Sequence, residues 1–454
     1  SNSSAASDVY KRQILHYSLG LPPYARGGLT KYAIDLIGAE QKLGYQVGLL
    51  WPGRMECEKG NPLIKSCSLS CGIENYEIIN PLPLPQIYGI RDFVNYMISC
   101  DDKGYASFLQ SYSPDVIHLH TLMGLHKEFL QVAHEMKIRL VFTSHDYFGI
   151  CPKSTLFYNG ETCDSNLDCI NCWECCANAL SIKKTMLLQS ALYRKLKNSF
   201  LVIWLRRQKK KQLIDRTEMA TSPSVEYCTD YLRLRKYYMD MFTYLDKIHF
   251  NSRYTRMLYH NYFNPKDEAV ISITHKDICS RKKIKDTPLD IVRFTYVGAI
   301  AEYKGFYVLL HAMDELFDSG GTNFELHVYS EVAINKEYVK VHQPYVYGEL
   351  ASVMEQTDMM IVPLDVSFGF TVLEALSYGV PVLTTCRVGA SDLVEHETTG
   401  LIGEYSIEGL KKELIKVLKY PEMLRDFNRT IVKNTTIKQI DEHALEIIEQ
   451  LYNK

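Results

Sequence analysis

The sequence lacks any apolar run of the ~18–20 residues that a membrane-spanning helix needs, so we expect no transmembrane segment. It also lacks a strong charge of either sign, because 51 Lys and Arg against 53 Asp and Glu leave a net charge of −2. A protein that coats nucleic acid is usually basic overall, so this balance speaks against a nucleic-acid partner. Residues 1–12 are polar and contain no secretory hydrophobic segment, which favours a cytoplasmic protein.

The composition is that of a globular protein, with 46% hydrophobic and 23% charged residues in a chain of 454. At about 150 residues per domain, that length predicts two or three domains. The 13 cysteines are an odd number, and a chain this long does not need disulfides to fold, so we expect a reducing compartment.

Buried strands alternate with amphipathic helices along most of the chain. A strand at QILHYSLG is followed by a helix with apolar residues near 3.6-residue spacing and then by a second strand, VGLLW. This unit is the start of a parallel sheet. The alternation continues through DVIHLH, RLVFTSHD and KIHFNS, and a second set begins at DIVRFTYVG.

The periodicity is lost between residues 271 and 289, where the charge increases. We therefore predict an α/β protein with two Rossmann-like, doubly wound domains facing each other across a cleft, at 14–272 and 273–434. Two segments interrupt the first domain, a cysteine-rich stretch at 151–176 and a basic stretch at 183–213.

Ligands of doubly wound sheets bind at the carboxyl ends of the strands, so the loops there are the candidate site. In the first domain, Gly27 and Gly28 precede a helix, where a backbone without side chains lets a ligand approach closely. Taken alone, these glycines are better explained by a plain tight turn. His120 ends a strand. A lone histidine is usually structural, but a polar residue at this end of a strand is better placed than most to reach a ligand.

The second domain carries the stronger signals. Gly298 and Lys304 follow a strand, and a lysine ammonium suits a phosphate. The loop after MMIVPL then enters a helix whose free N–H groups favour an anion such as a diphosphate. The loop and helix start comprise Ser367, Phe368, Gly369, Phe370 and Thr371. Glu374, one turn further, is placed to accept hydrogen bonds from sugar hydroxyls.

These motifs, from the Gly-Gly loop through DVIHLHTLMG, TSHDYFGICP and VGAIAEYKG to FGFTVLEALSYGVPVLTT, resemble the family-4 retaining glycosyltransferases of the GT-B fold, of the type found in bacterial polysaccharide assembly. The resemblance implies transfer of a sugar from a UDP-, GDP- or ADP-sugar without a catalytic metal. It also implies that residues 435–454 form a helix crossing back to the first domain.

Carried over residue by residue, the resemblance places Gly28 at the donor diphosphate, His120 near the sugar and the acceptor, Lys304 at phosphate and Glu374 at the ribose. His120, Lys304 and Glu374 are thus the predicted catalytic residues. Two positions depart from the family pattern: Val366 stands where the first glutamate of E-x7-E is expected, and Ala299 replaces a basic residue.

These departures keep three functions open. The leading prediction is a glycosyltransferase acting on a glycan or lipid-linked acceptor at the cytoplasmic membrane surface. A nucleotide-sugar epimerase or a glycan phosphorylase on the same architecture is the alternative enzyme. A glycosyltransferase-like partner protein that has lost its chemistry is the third.

The two interrupting segments carry separate predictions. Cys163, Cys169, Cys172 and Cys175 include two C-x2-C spacings, which suit a structural zinc site as well as they suit free thiols or disulfides. The 183–213 stretch holds ten Lys and Arg and no acidic residue, together with apolar side chains. A solvated face of a helical hairpin is the usual explanation of such a segment. The absence of acidic residues and the apolar run favour contact with an anionic membrane surface instead and, through it, access to a lipid-linked acceptor.

Overall fold

The computed structural model describes residues 12–453 except 23–24, 26, 58–59, 69–71, 86–87, 165–166, 198, 201, 203–224 and 287. The strands are β1 Gln13–Tyr17, β2 Gln46–Pro52, β3 Leu63–Ser66, β4 Glu74–Ile79, β5 Val116–Leu119, β6 Arg139–Ser144, β7 Phe157–Tyr158, β8 Glu161–Thr162, β9 Lys247–Phe250, β10 Glu268–Val270, β11 Val292–Val297, β12 Phe324–Tyr329, β13 Val339–His342, β14 Met359–Val362, β15 Val382–Thr385 and β16 Gly400–Gly403.

The α-helices are α1 Gly28–Lys42, α2 Lys103–Tyr112, α3 Lys127–Glu135, α4 Cys172–Cys175, α5 Ile182–Gln189, α6 Ala191–Leu196, α7 Val225–Phe242, α8 Arg253–His260, α9 Phe306–Asp318, α10 Leu350–Gln356, α11 Phe370–Ser377, α12 Ile407–Lys419, α13 Met423–Asn434 and α14 Ile440–Ile447. Short 3₁₀ helices lie at Phe93–Tyr96, Glu302–Lys304, Tyr347–Glu349 and Gly389–Leu393, and a π-helical turn lies at Ile448–Tyr452. None of the helices in the described ranges has the length and apolar character needed to cross a membrane.

Two parallel sheets organise the chain. The first has the order β10-β9-β6-β5-β1-β2-β4-β3, in which only β3 runs antiparallel, and the second has the order β13-β12-β11-β14-β15-β16. The central strands β5, β14 and β15 are buried along their whole length because helices cover both faces of a doubly wound sheet. This architecture confirms the predicted fold class of two Rossmann-like domains.

The strand order fixes where ligands can bind. In the second sheet the chain winds outward in both directions from β11 and β14, and in the first sheet from β1 and β5. The loops after these strands diverge and leave a crevice at each switch point. The crevices are therefore lined by the segments that follow β1, β5, β11 and β14.

The end of the chain packs on the first sheet. Arg139 of β6 donates from Nε to the Leu451 carbonyl at 2.7 Å, and Tyr452 is buried against His118 of β5. Apolar side chains of α1, α11 and α14 share one continuous core, which includes Leu36, Val372 and Ile447. Burial of this shared core holds the two halves together.

Candidate functional site

Lys304 and the loop after β14 meet at the switch point of the second sheet. Lys304 ends the 3₁₀ turn after β11, and its Nζ lies 2.8 Å from Oδ1 of Asp365. The ion pair thus joins the two loops that line this crevice. The structure therefore brings together the lysine and the loop that the sequence singled out separately.

A glycine allows the two loops to come this close. Gly305 has a φ of 69°, and a Cβ at this position would lie only 2.9 Å from Cβ of Leu364. Any side chain here would be strained in its backbone and would also push the loops apart. Gly305 thereby sets the position of its neighbour Lys304 beside Asp365.

Asp365 is the centre of the hydrogen bonding in this loop. Its Oδ1 accepts hydrogen bonds from the backbone N–H of Ser367 at 3.0 Å and from the Ser367 hydroxyl at 2.7 Å. Burial would raise the pKa of Asp365, but the Lys304 ammonium and the Ser367 donors outweigh it and hold the pKa below its usual value. A carboxylate therefore faces Lys304 at neutral pH.

Helix α11 begins directly beside this ion pair. Gly369 has a φ of 86° and precedes the first helical residue, Phe370. The N–H groups of the first turn have no acceptor within the helix and point out of its start. Phe368 is buried and Thr371 is half-buried. From the first domain, Gly28 reaches the same place, where an added Cβ would lie 3.5 Å from the Phe370 ring. Gly27, with a φ of 135°, is the residue before α1.

Gly298 follows β11 on the same edge of the sheet. A Cβ there would lie 3.2 Å from the hydroxyl of Tyr296, which donates a hydrogen bond to the Ala299 carbonyl at 2.8 Å. The segment around Ala299, where the family pattern has a basic residue, is therefore held in place by a hydrogen bond to its backbone.

Glu374 is held by a histidine that the sequence did not single out. His275 is buried, and its Nε2 lies 3.5 Å from Oε1 of Glu374. The backbone N–H of Asp277 donates to Nδ1 of the same ring, so the neutral ring carries its proton on Nε2, facing Glu374. The pKa of Tyr345 is raised by burial and by the charge of the Glu374 carboxylate, which lies near its phenol.

Asp35, His275 and Asp277 form one of two groups of ligand atoms close enough to hold a metal ion among the described residues. The Lys31 ammonium already contacts both carboxylates, and Lys276 Nζ lies 3.6 Å from Asp35. Two cations therefore compensate this cluster. Its structural effect is to link α1 of the first domain to the segment between the domains.

His120 lies in the core rather than at the surface of a cleft. Its Nε2 is 2.9 Å from Nδ1 of His16, its Nδ1 is 3.2 Å from Nε2 of His145, and the ring is 1% exposed. Burial and the neighbouring histidines lower the pKa of His120 well below its ordinary value. Both ring nitrogens are engaged by neighbouring histidines in this state, and the place of His120 near the sugar and the acceptor stays a prediction.

The histidine pairs continue to a buried carboxylate. His16 Nε2 lies 2.7 Å from Glu40 Oε2, and the Tyr452 hydroxyl donates to the other oxygen of Glu40. One tautomer arrangement satisfies the chain, with each ring donating to the next toward Glu40. Among the described residues, His16, His118 and His120 are the second group near enough for a metal. Hydrogen bonds already engage nitrogens of all three rings, including those that join His118 to the Tyr452 and Thr143 hydroxyls.

The cysteine-rich insertion contacts the second domain at Val366. Phe157 of β7 packs with Leu364 and Tyr405, and Val366 lies against this apolar cluster. Arg387 reaches across to Glu161 of β8 at 2.5 Å. Val366, which departs from the family pattern, therefore packs against apolar side chains. The side chain of the preceding residue, Asp365, contacts Lys304 instead.

The cysteines themselves are free thiols in the described residues. A hydrogen bond with the Cys176 thiol lowers the pKa of Cys175 to about 7. The charge of Lys153 also lowers this pKa, whereas burial raises it. Among the described residues, neither group of closely spaced ligand atoms includes a cysteine. Cys163, Cys169, Cys172 and Cys175 are thus not arranged as a preformed four-thiolate site, and the zinc stays a prediction.

The basic segment is described only in part. Helices α5 and α6 cover its beginning, and residues 203–213 lie outside the described residues. In the part of this segment that the structure describes, the exposed large apolar side chains are Leu187, Leu192, Leu196 and Phe200.

Comparison with known families matches both halves of the chain. The family described as Glycosyltransferase Family 4 matches residues 26–161, and the one described as Glycosyl transferases group 1 matches residues 292–420. The second match contains Lys304, Asp365 and Glu374. The first contains Gly27, Gly28 and His120.

Solved structures share the fold at low identity. Sucrose-phosphate synthase from Thermosynechococcus elongatus superposes with a TM-score of 0.57 at 13% identity, covering 97% of this chain and 98% of that one. Anabaena HepE in complex with UDP and glucose gives 0.54 at 12% identity, covering 97% and 99%. A curated relative, the uncharacterized 42.6 kDa protein in cps region of Klebsiella pneumoniae, is 28% identical over 92 residues, which is 20% of this chain and 24% of the relative.

Proposed function

Because this chain belongs to the glycosyltransferases of family 4 and has their GT-B fold, we propose that it moves a sugar from a nucleotide-sugar to a glycan or lipid-linked acceptor, with retention of the anomeric configuration. The observation that carries the proposal is the Lys304–Asp365 pair at the switch point, beside the start of α11 and opposite Gly28. A cation, free backbone N–H groups and a glycine loop together suit a diphosphate.

In the proposed reaction the bond between the anomeric carbon and the β-phosphate oxygen breaks. Lys304 and the N–H groups of α11 stabilise the charge that collects on the leaving diphosphate. A new bond forms from the acceptor hydroxyl oxygen to the anomeric carbon, and the hydroxyl proton passes to the leaving phosphate. The chemistry needs no resident metal, and Glu374 binds the ribose hydroxyls. The role of His120 stays a prediction from the family resemblance.

The donor is a UDP-, GDP- or ADP-sugar. The structural relative crystallised with UDP and glucose supports this class of donor. The relative in a cps region supports a place in polysaccharide assembly.

Contact with an anionic membrane surface is part of the proposal. Leu192 is 63% exposed and Phe200 is 85% exposed, in a stretch whose sequence contains ten basic residues and no acidic one. Exposed apolar side chains among cations suit the interface of an anionic membrane. We expect the protein to float with anionic liposomes and to remain unbound to neutral ones. Equal behaviour with both would contradict this part of the proposal.

The test of the transfer is release of free nucleotide from a panel of UDP-, GDP- and ADP-sugars in the presence of lipid-linked acceptors. Lys304→Ala and Glu374→Ala should each lower turnover by at least tenfold. Lys411→Ala is the matched control. Lys411 is as exposed as Lys304, and it also forms an ion pair, with Glu315 at 2.9 Å, between helices α12 and α9. Wild-type rates in both site variants would refute the assignment.

The apolar surroundings of Val366 favour one second candidate, a partner protein that keeps the fold without the chemistry. A transferase should be thermally stabilised by UDP, GDP or ADP, because a ligand that binds only the native state raises its stability. Absence of stabilisation by all three nucleotides would favour the partner protein.

A further inference from the structure

A second pocket lies at the carboxyl ends of β1 and β2, away from the Lys304–Asp365 pair. It has a volume of about 260 Å³, and α5 and α6 of the basic segment close one side of it. Trp51 and Tyr193 contribute aromatic surface, and Leu19, just after β1, forms part of the wall. Carboxyl ends of parallel strands are where α/β sheets bind ligands.

Gln189 is a hydrogen-bond donor without a partner in the wall of this pocket. Its Oε1 accepts a hydrogen bond from the Leu84 N–H at 2.7 Å, which fixes the orientation of the amide. The residue is 8% exposed, and its Nε2 has no hydrogen-bond partner among the described residues. A buried donor left unpaired is costly, so an acceptor oxygen from a ligand would be favoured here.

The wall of the pocket also carries cationic side chains. Arg194 and Lys197 are both in the wall, and no Asp or Glu is among its described lining residues. The Arg194 guanidinium lies 5.0 Å from the centre of the Trp51 ring and binds Glu77 at 2.8 Å, so its position is fixed. The pocket therefore combines an aromatic surface, a fixed amide donor and cations.

We propose that this pocket binds the glycosyl phosphate head of the acceptor, with a sugar hydroxyl or ring oxygen at Gln189 and the phosphate at Arg194 and Lys197. This inference rests on the proposed transferase function and names its acceptor site. The other face of α5 and α6 exposes Leu187 and Leu192. A lipid attached to the phosphate would leave the pocket beside that apolar face.

The pocket is also connected to the donor crevice through one segment of chain. Leu19 and Gly27 lie at the two ends of the connection between β1 and α1, and Gly28 faces Phe370 of the donor side. An acceptor bound against Leu19 would therefore contact one end of the connection whose other end lies at the donor crevice.

The test is isothermal titration calorimetry on the full chain without vesicles. The probes are the 1-phosphates of glucose, galactose and N-acetylglucosamine, with inorganic phosphate and methyl glucoside as the separate halves of the ligand. We expect at least one sugar phosphate to bind more tightly than either half. Lys197→Glu and Gln189→Leu should weaken it at least tenfold, while Lys195→Glu on the exposed side of α6 should not.

Lys304→Ala separates this pocket from the donor crevice, because it should leave sugar-phosphate binding unchanged. Lys197→Glu should keep nucleoside diphosphate binding yet lose transfer to a lipid-linked acceptor. Lys197→Glu replaces a partly exposed side chain, so it remains informative if Gln189→Leu fails to fold. Unchanged binding in Lys197→Glu, no binding of any sugar phosphate, or equally tight binding of inorganic phosphate would overturn the inference. Absence of nucleotide release by the wild type would instead contradict the proposed function.

Discussion

Lys304→Ala should have a larger effect on nucleoside diphosphate binding than the loss of one cation. Lys304 is 26% exposed and Asp365 is 14% exposed, with 2.8 Å between Nζ and Oδ1. The substitution removes the proposed phosphate partner and also leaves the Asp365 carboxylate uncompensated beside the diphosphate. Two unfavourable changes therefore occur at once.

The magnitude follows from these two parts. A hydrogen bond to a charged group contributes about 1.5–3 kcal/mol, and an uncompensated like charge near the phosphate adds on the order of 1–2 kcal/mol at a partly exposed site. The sum corresponds to a loss of affinity of roughly 10²–10³-fold or more. Asp365→Asn keeps an oxygen for the two Ser367 donors and removes only the charge.

The assay is titration calorimetry with the best-binding diphosphate among UDP, GDP and ADP. We expect the double variant Lys304→Ala/Asp365→Asn to recover about tenfold of the affinity lost by Lys304→Ala alone, which is the repulsive part of ~1–2 kcal/mol. Lys411→Ala serves as the control. Binding of Lys304→Ala within threefold of wild type, or no recovery in the double variant, would refute the reasoning.

Three further predictions concern Glu374, Val366 and Asp146. His275→Ala should weaken ribonucleoside diphosphate binding but not binding of the 2′,3′-dideoxy analogue, because His275 acts through Glu374; equal losses for both ligands would contradict this. Val366→Glu should lower the free energy of unfolding by about 1–3 kcal/mol without raising turnover, since it places a carboxyl group against the Phe157 cluster, and thermal melts with nucleotide-release rates would check it. Burial raises the pKa of Asp146 to about 6, although the hydrogen bond from the Phe148 N–H acts in the opposite direction. The native state therefore binds this proton more tightly than the unfolded chain does. Its stability falls as the pH rises from ~4, near the pKa of the unfolded chain, to about 6. Asp146→Asn should thus add about 1–3 kcal/mol at pH 7–8 and little near pH 4, and a constant difference across pH would argue against it.

The order of strands and helices could be predicted because each is a local pattern. Helix α1 and the strands around it have clear 3.6-residue periodicity or short apolar runs, and both sheets follow from their alternation. Strand β3 has no clear signal in the sequence because it is a short edge strand with exposed residues. Helix α7 was missed because its charged and aromatic residues give no sharp apolar stripe.

The contacts of the site depend on residues far apart in sequence. Lys304 and Asp365 are each visible in a loop, but their pairing depends on the close approach at Gly305, which has no local signal. The burial of His120 depends on His16 of β1 and on His145, which directly follows β6. The HLH pattern indicated a functional end of strand and could not show that both ring nitrogens are engaged.

The most direct measurement of the central claim is the transfer of radiolabelled sugar from UDP-, GDP- and ADP-sugars to a bacterial lipid extract, with the anomeric configuration of the product determined by NMR. The account predicts a labelled lipid-linked product that keeps the donor configuration, made by wild type and by Lys411→Ala at similar rates and by Lys304→Ala at least tenfold more slowly. An inverted product, or equal rates for Lys304→Ala and wild type, would contradict it.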